Sequence, residues 1–381
     1  MIDRERLTRL LADLVRHNSI NPDLVPGAPG EGAIAAFLCD YCREAELEAD
    51  LQEVATGRFN AIARLRGRGQ APPLLLNGHI DTVDVEGMTI DPFDPMIRDG
   101  RLHGRGAYDM KGGVAAMVEA ALAAAEHGPP GDVILAMVAD EEYASLGTQA
   151  VVGEVSAGAA VVTEPTALNV CIAHKGFAWI DVETTGRAAH GSRYAEGVDA
   201  VAHMGRVLAG LERLEREVFP KRRHRLLGRP SVHASRIDGG VGLSTYPDHC
   251  RLQVERRTLP AETPEDVAAE MNALLAALRA EDPAFQASWS LTLFRPGLEV
   301  PPDAPIVRAV RAAAEAVLNR PVELTGESAW LDSALLAAAG IPTVIFGPAG
   351  AGAHASVEWV DLDSVAATAE ILVRVILAWG G

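Results

Sequence analysis

Short apolar runs, each followed directly by polar residues, recur along the chain and predict buried strands. The clearest run, residues 132–139, has the length and composition of a fully buried strand. Three carboxylates follow it without a break, Asp140 to Glu142. Similar short runs occupy residues 73–77, 159–163 and 342–346. Each of them also leads into polar or glycine-rich sequence.

The segments between these runs carry the periodicity of amphipathic helices. Residues 2–16 place five apolar side chains on one face: Leu7, Leu10, Leu11, Leu14 and Val15. Further helices are predicted over residues 31–46 and 113–126, and a strand pair over residues 51–66. Strands that alternate with helices predict an α/β fold class.

The middle of the chain, residues 175–297, has a different pattern. Residues 177–184 and 251–256 alternate between apolar and polar positions, as half-exposed strands do. Two predicted helices, at 197–217 and 264–279, and a last strand at 287–293 follow the same pattern. The predicted order is strand-helix-strand-strand-helix-strand, in which the strand before 251–256 is not assigned to particular residues. We therefore predict a discontinuous larger domain, residues 1–174 with 298–381, and an inserted α+β domain at 175–297.

Chain length, hydrophobic content and net charge limit which kinds of protein this chain can be. The chain has 381 residues, which suggests two domains, and 48% of them are hydrophobic. A formal net charge of −18 argues against a nucleic-acid partner or an anionic membrane surface. No apolar run is long enough to span a membrane, and the charged N-terminus reads directly into a helix. We expect a cytoplasmic protein.

Three local motifs have simpler explanations than redox, nucleic-acid or phosphate-binding sites. Cys39 and Cys42 form a CxxC inside a predicted helix, without a second CxxC, so packing is favoured over redox chemistry or zinc. The basic run 221–225 is more simply explained as a solvated loop than as a binding patch, because the chain as a whole is strongly acidic. Residues 104–113 are glycine-rich but lack the spacing of a phosphate-binding loop. Instead of a phosphate-binding loop, these residues are predicted to form a tight loop that presents Asp109 just before a helix.

Histidines and carboxylates follow the predicted strands. His79 and Asp81 end the first, the acidic triplet follows the second, Glu164 the third, and His354 comes after the last through a glycine-rich loop. Each motif alone also fits an ordinary surface turn. Ligands in open α/β sheets bind outside the carboxyl ends of strands. The joint pattern predicts a metal site there.

In these motifs the chain resembles the M20 family of metallopeptidases and deacylases, which includes acetylornithine deacetylase, succinyl-diaminopimelate desuccinylase and carboxypeptidase G2. Residues 78–83 match the family's GHxDxV, and residues 104–113 match GRGxxDxKGG. The segments 140–142, 163–166 and 353–354 match in the same order. The resemblance covers nearly the whole chain. It implies a zinc-peptidase-like catalytic domain, with a mixed sheet flanked by helices, and a ferredoxin-like lid.

The resemblance also implies roles for the residues at the strand ends. Two zinc (or cobalt) ions would be held by two sets that share Asp109, namely His79, Asp109 and Glu164, and Asp109, Glu142 and His354. Asp81 would orient His79, and Glu141 would be the general base. A cis peptide is expected after Asp109.

The inserted domain resembles the family's lid, which usually forms a homodimer interface. His190 would then stabilise the tetrahedral oxyanion, often across the dimer, and Arg257 would bind the substrate carboxylate. Ser244 stands where many members have asparagine and reaches less far. The pair His174 and Lys175 replaces two arginines of desuccinylases, which weakens a succinyl-substrate interpretation. Trp330 adds bulk to a loop that often lies near the substrate.

The expected activity is hydrolysis of the amide bond of an N-acyl amino acid or of a C-terminal peptide bond. Glu164, rather than aspartate, resembles the deacylase and carboxypeptidase branch. An aminopeptidase or dipeptidase of the same family is the alternative enzyme. A non-catalytic paralogue that keeps its metal is the alternative from another class.

Overall fold

The computed structural model describes residues 2–380 of the chain. Nine α-helices lie in this part: α1 (Arg4–Arg16), α2 (Gly32–Glu44), α3 (Gly112–Ala125), α4 (Leu146–Glu154), α5 (Ala200–Arg213), α6 (Pro264–Glu281), α7 (Pro305–Leu318), α8 (Ser333–Ala338) and α9 (Leu362–Ala378).

The strands between them are mostly short. Within the same residues they are β1 (Glu48–Ala55), β2 (Arg58–Leu65), β3 (Leu74–His79), β4 (Met96–Arg98), β5 (Arg101–His103), β6 (Val133–Val138), β7 (Ala159–Val162), β8 (Val170–His174), β9 (Gly176–Thr185), β10 (Ser231–Gly239), β11 (His249–Thr258), β12 (Gln286–Arg295), β13 (Leu298–Glu299), β14 (Leu324–Glu327), β15 (Thr343–Ile345), β16 (Gly350–Ala351) and β17 (Trp359–Asp361).

The chain divides into two compact units. Unit 1 contains the chain up to Ile172, Val300–Thr325 and the chain from Leu331 onward. Unit 2 contains Ala173–Glu299 and the short segment Gly326–Trp330.

Unit 1 is built on a large mixed sheet. Its main path runs β1-β2-β6-β3-β7-β15-β8. The pairs β6–β3, β3–β7 and β7–β15 are parallel, whereas β1–β2, β2–β6 and β15–β8 are antiparallel. Every residue of β3, β6 and β7 is buried, which explains why these strands read as continuous apolar runs. The α/β fold class with a mixed sheet is confirmed.

Helices cover the faces of this sheet, and their ends follow local signals. Asp3 caps α1 by accepting hydrogen bonds from the backbone N–H groups of Glu5 and Arg6. The face of α1 predicted to be apolar is buried, and α3 packs against α9. A second, four-stranded sheet of order β16-β17-β5-β4 joins residues that are far apart in the sequence.

Unit 2 is an antiparallel sheet with helices on one face. The strand order is β10-β11-β9-β12. The chain order β9-α5-β10-β11-α6-β12 agrees with the predicted order, although no residues had been assigned to the strand before β11. Inward-facing residues of β9, such as Ile180 and Val182, pack with α5 and α6 in one hydrophobic core. Arg222, from the basic run predicted to be a solvated loop, is half-buried and paired with Glu262 and Glu270, so the run is partly internal.

All four cysteines are reduced and buried, as expected for packing residues: Cys39, Cys42, Cys171 and Cys250. Among residues 2–380, no helix combines the length and hydrophobicity that a membrane crossing needs.

Candidate metal centre

The carboxyl ends of four neighbouring strands meet at one edge of the large sheet. His79 is the last residue of β3, and Asp140–Glu142 follow β6. Glu164 comes two residues after β7, and β15 leads into the loop that carries His354. The strands are adjacent in the order β6-β3-β7-β15, so the fold brings their polar ends together.

Asp109 lies between two histidines. Its Oδ1 atom is 3.1 Å from Nε2 of His79, and its Oδ2 atom is 3.4 Å from Nε2 of His354. Glu164 Oε1 lies 3.5 Å from the same His79 nitrogen, and Glu142 Oε2 lies 3.1 Å from the His354 nitrogen. Each imidazole therefore faces the shared aspartate and one glutamate.

The glycine-rich segment before α3 places Asp109 by close backbone packing. Asp109 sits in the tight turn Ala107–Lys111, and the peptide bond between Asp109 and Met110 is cis, as the resemblance implied. A Cβ atom on Gly113 would lie 2.0 Å from the carbonyl oxygen of Thr163, so a larger residue would push α3 away from the end of β7. Gly113 therefore allows the start of α3 to contact the end of β7.

Glu141 belongs to the same cluster. Ligand atoms of His79, Glu141 and Glu164 lie within 4.8 Å of one another, and so do those of His79, Asp109 and Glu142. Glu141 is thus close enough to face a water molecule held at this site. By distance alone it also falls within the range of a ligand.

Burial of so many carboxylates shifts their protonation. Burial raises the pKa of Glu141 and Glu164 well above the usual range, and repulsion from neighbouring carboxylates adds to the shift. Burial also raises the pKa of Glu142, against the hydrogen bond from His354. Hydrogen bonds to Asp109 and Glu142 raise the pKa of His354 to about 10.

Two opposed effects act on the pKa of His79. Burial alone would lower the pKa of its imidazole, but the charge of Glu164 and the hydrogen bonds to Asp109 and Asp81 raise it well above the usual value. Protons therefore partly neutralise the cluster in the chain alone. Divalent cations would neutralise it in their place, and imidazole nitrogens with carboxylate oxygens are ligands that zinc accepts. The residues fit a metal site.

Asp81 contacts both His79 and the acidic turn. The Nδ1 atom of His79 is 3.0 Å from the backbone carbonyl oxygen of Asp81 and 3.4 Å from its Oδ1 atom. The Asp81 carboxylate also accepts the backbone N–H groups of Glu141, at 3.1 Å, and Glu142, at 3.2 Å. Asp81 thus contacts a histidine and accepts hydrogen bonds from the backbone of two glutamates.

Sequence reasoning missed a buried network behind Asp81. Arg58 pairs with Glu31 and Asp140, and the side-chain amide of Asn21 connects Asp140 to Asp81. Asn21 stands before a proline in a Pro/Gly-rich loop and reads as an ordinary turn residue. Its only sequence signal is its polarity.

Two further acidic residues were also missed. Glu358, in the loop before β17, is fully buried and accepts hydrogen bonds from the turn that carries Asp109. Asp332 is 2% exposed, and hydrogen bonds from the hydroxyls of Ser145 and Thr148 act against the effect of burial on its pKa. Burial raises its pKa to about 6, and it adds to the negative charge around Glu141.

The three remaining predicted site residues belong to unit 2. His190 is exposed, with Nδ1 2.8 Å from the hydroxyl oxygen of Ser192. The backbone carbonyl of Ser244 accepts the N–H of Gly191 at 2.7 Å, so Ser244 adjoins the His190 loop. Ser244 comes shortly before the first residue of β11, whereas Arg257 is close to the last. The Nε atom of Arg257 donates to Glu255 at 2.6 Å. Within unit 2, Arg257 is therefore apart from the other two.

A family model supports the interpretation of the strand-end motifs. The model described as Peptidase family M20/M25/M40 matches residues 75–378. These residues include every strand end of the cluster.

Individual relatives extend over nearly the full chain. An N-formyl-4-amino-5-aminomethyl-2-methylpyrimidine deformylase of Bacillus subtilis is 29% identical over 99% of this chain and 95% of its own length. An acetylornithine deacetylase of Myxococcus xanthus is also 29% identical, over 99% of this chain and 97% of its own. The crystal structure of aminopeptidase PepT from Bacillus cereus matches with a TM-score of 0.82 at 22% identity, covering 98% of both chains. That last likeness supports the fold alone.

Proposed function

Because the chain belongs to peptidase family M20/M25/M40 and is a hydrolase of amide bonds, we propose that its strand-end cluster is a two-metal site that cleaves N-acyl amino acids or C-terminal peptide bonds. The observation that carries this proposal is the position of Asp109. One carboxylate oxygen faces His79 and the other faces His354. A carboxylate shared in this way is suited to bridge two cations.

His79, Asp109 and Glu164 would hold one ion, and Asp109, Glu142 and His354 the other. Zinc or cobalt suits these nitrogen and oxygen donors. Two such ions, when bound, would supply a water of lowered pKa and would polarise the scissile carbonyl.

Glu141 is the proposed general base. It lies in the cluster beside His79 and Glu164, and its raised pKa suits a group that accepts a proton near neutral pH. Glu141 takes a proton from the attacking water as the new C–O bond forms. It then returns that proton to the nitrogen of the leaving amine as the C–N bond breaks. Asp81 keeps the ring of His79 in place during both steps.

Unit 2 is proposed to supply the contacts to substrate. An exposed imidazole such as that of His190 can donate a hydrogen bond to the oxyanion of the tetrahedral intermediate. The guanidinium of Arg257 is suited to a substrate carboxylate, although Glu255 already accepts a hydrogen bond from its Nε. Ser244 is a weaker candidate, since its backbone makes the contact seen with the His190 loop.

The proposed substrate class is a small N-acyl amino acid or a short peptide. The two relatives at 29% identity are named for removal of a formyl and of an acetyl group, which supports a small acyl group. Glu164 supports the deacylase and carboxypeptidase branch over an aminopeptidase or dipeptidase. A binding paralogue is the second alternative, and the presence of every proposed ligand and of Glu141 counts against it.

The test is amine release from a panel of N-formyl, N-acetyl and N-succinyl amino acids and dipeptides, with zinc or cobalt added. We expect metal-dependent release from a formyl or acetyl series. Release from dipeptides alone would move the chain to the peptidase branch. Protein that holds two metal ions and releases no amine from any compound would contradict the proposal and favour the binding paralogue.

A further inference from the structure

Asn21 is a buried amide at the centre of the network behind the metal centre. It lies in the loop between α1 and α2 and has no exposed surface. Its Nδ2 atom donates one hydrogen bond to Oδ2 of Asp81, at 2.8 Å, and another to Oδ1 of Asp140, at 2.9 Å. Its Oδ1 atom accepts the backbone N–H of Asp23 at 3.0 Å. These contacts fix which way the amide points.

The two carboxylates that Asn21 joins are both completely buried. Buried like charges in proximity repel each other and resist desolvation. A side-chain amide offers two N–H donors and no charge, so it can bridge two carboxylates without neutralising either. Arg58, 2.9 Å from Oδ1 of Asp140, supplies the positive charge on the far side.

Both partners of Asn21 control the turn that follows β6. Asp140 begins this turn with φ of +70°, and its Oδ2 atom accepts the N–H of Leu146 at 3.3 Å. Asp81 accepts the backbone N–H groups of Glu141 and Glu142 and contacts His79. Asn21 therefore fixes both carboxylates that hold the turn in place.

We propose that Asn21 is a positioning residue for the amide-hydrolysis site. It acts through Asp81 and Asp140 to hold His79, Glu141 and Glu142 where a metal ion and the attacking water need them. This inference rests on the proposed two-metal function. It adds a residue from the first 30 of the chain, outside the segment that the family model matches.

The test replaces Asn21 with an isosteric residue that cannot donate. Asn21→Asp keeps the shape and places a third carboxylate beside Asp81 and Asp140, while Asn21→Ala removes the donors without adding charge. The matched control is Ser19→Ala, since Ser19 lies in the same loop, is fully buried, and has a hydroxyl without a hydrogen-bond partner among residues 2–380. Zinc affinity is measured by competition with a chelating dye, and kcat and KM on the substrate found by the panel.

We expect Asn21→Asp to weaken zinc binding about 10- to 100-fold, the usual cost of losing a group that orients metal ligands. The kcat value should fall by a similar factor, with KM changed less than about threefold, and Ser19→Ala should match wild type. Asn21→Ala should show the same losses to a smaller extent, and it replaces Asn21→Asp if that variant does not fold.

A purely structural role would have a different signature. If either Asn21 variant unfolds at lower temperature but binds zinc within about twofold of wild type, the proposal is overturned. The zinc measurement uses no substrate. It therefore decides the role of Asn21 even if the panel contradicts the proposed activity.

Discussion

Glu358 accepts the backbone N–H of Asp109 at 3.1 Å, although the two residues are 249 positions apart in the sequence. The same carboxylate accepts the N–H groups of Gly106 and Tyr108 and pairs with Nη1 of Arg105 at 2.7 Å. Four donors thus converge on one buried acid. The loop that carries the shared aspartate is held by the segment that follows His354.

We predict that Glu358→Gln disturbs this loop, because an amide nitrogen would face donors that need an acceptor. Breaking a buried ion pair costs about 3–5 kcal/mol in stability. Zinc affinity should fall about 10- to 100-fold. Thermal unfolding and zinc competition measure the two effects, with the exposed Glu323→Gln as control. Wild-type zinc affinity in a folded Glu358→Gln variant would contradict the role assigned to Glu358.

Glu141→Gln distinguishes a general base from a metal ligand. As a base, Glu141 contributes about 10²–10⁴-fold to turnover, so kcat should fall by that factor while two metal ions remain bound. Glu142→Gln is the matched variant and should lose metal. Metal content and initial rates measured on the same samples decide the point. A Glu141→Gln enzyme that turns over at the wild-type rate would exclude the proposed mechanism.

Metal binding should strengthen as pH rises. The pKa values of Glu141, Glu164, His79 and His354 are raised in the metal-free chain, so protons occupy the site near neutral pH and must leave when a cation binds. Each proton released makes the affinity about tenfold higher per pH unit. Calorimetric titration with zinc in buffers of different ionisation enthalpy should show buffer-dependent heats. Heats that do not change with the buffer would contradict this prediction.

His174 should make stability fall in weak acid. Burial lowers the pKa of its imidazole to about 4, against an ordinary value of 6.5. Below pH 6.5 the unfolded chain takes up a proton that the folded chain refuses, so stability is lost down to about pH 4. The loss at pH 5 is about 2 kcal/mol. His174→Phe should reduce the difference between urea midpoints at pH 7 and pH 5, whereas the exposed His127→Gln should not.

Unit 2 should pair with a second copy through an exposed apolar surface. Val241 and Leu243 are 84% and 109% exposed, and Tyr194 is 82% exposed. Clusters of exposed apolar side chains mark interaction surfaces. Light scattering should give about twice the chain mass of 40.2 kDa, and Leu243→Asp should halve it. Leu51→Asp, an exposed position in unit 1, is the control. A monomeric mass in an active preparation would argue against the homodimer.

The sequence predicted the strand ends well, because each combines a buried apolar run with a polar terminus. The predicted and observed limits of β3, β6, β7 and β15 differ by at most two residues. Helix ends were also close: α1 was predicted over residues 2–16 and α2 over residues 31–46, and each observed end differs from the prediction by at most two residues. The strands β8 and β10 were not singled out. Only Lys175 separates β8 from β9, and β10 is exposed from His233 to Gly239.

The residues that support the site could not be predicted from the sequence. Asn21, Arg58 and Glu358 belong to no recognisable sequence motif. Their hydrogen-bond and ion-pair partners are distant in the sequence and come close only in the folded chain. Arg58 is the first residue of β2, and Glu358 is the last residue of the loop before β17. A local motif indicates candidate metal ligands, whereas the residues that support them are determined by packing and hydrogen bonding across the whole of unit 1.

The buried cysteines have a practical consequence. Because Cys39, Cys42, Cys171 and Cys250 are each at most 1% exposed, the folded chain presents no thiol from its natural sequence to a maleimide reagent. A cysteine introduced by Ala195→Cys, at an exposed position, would therefore be a unique attachment point and would leave Tyr194 in place. A fluorophore there would report on events at the His190 loop without removing any natural residue from the core.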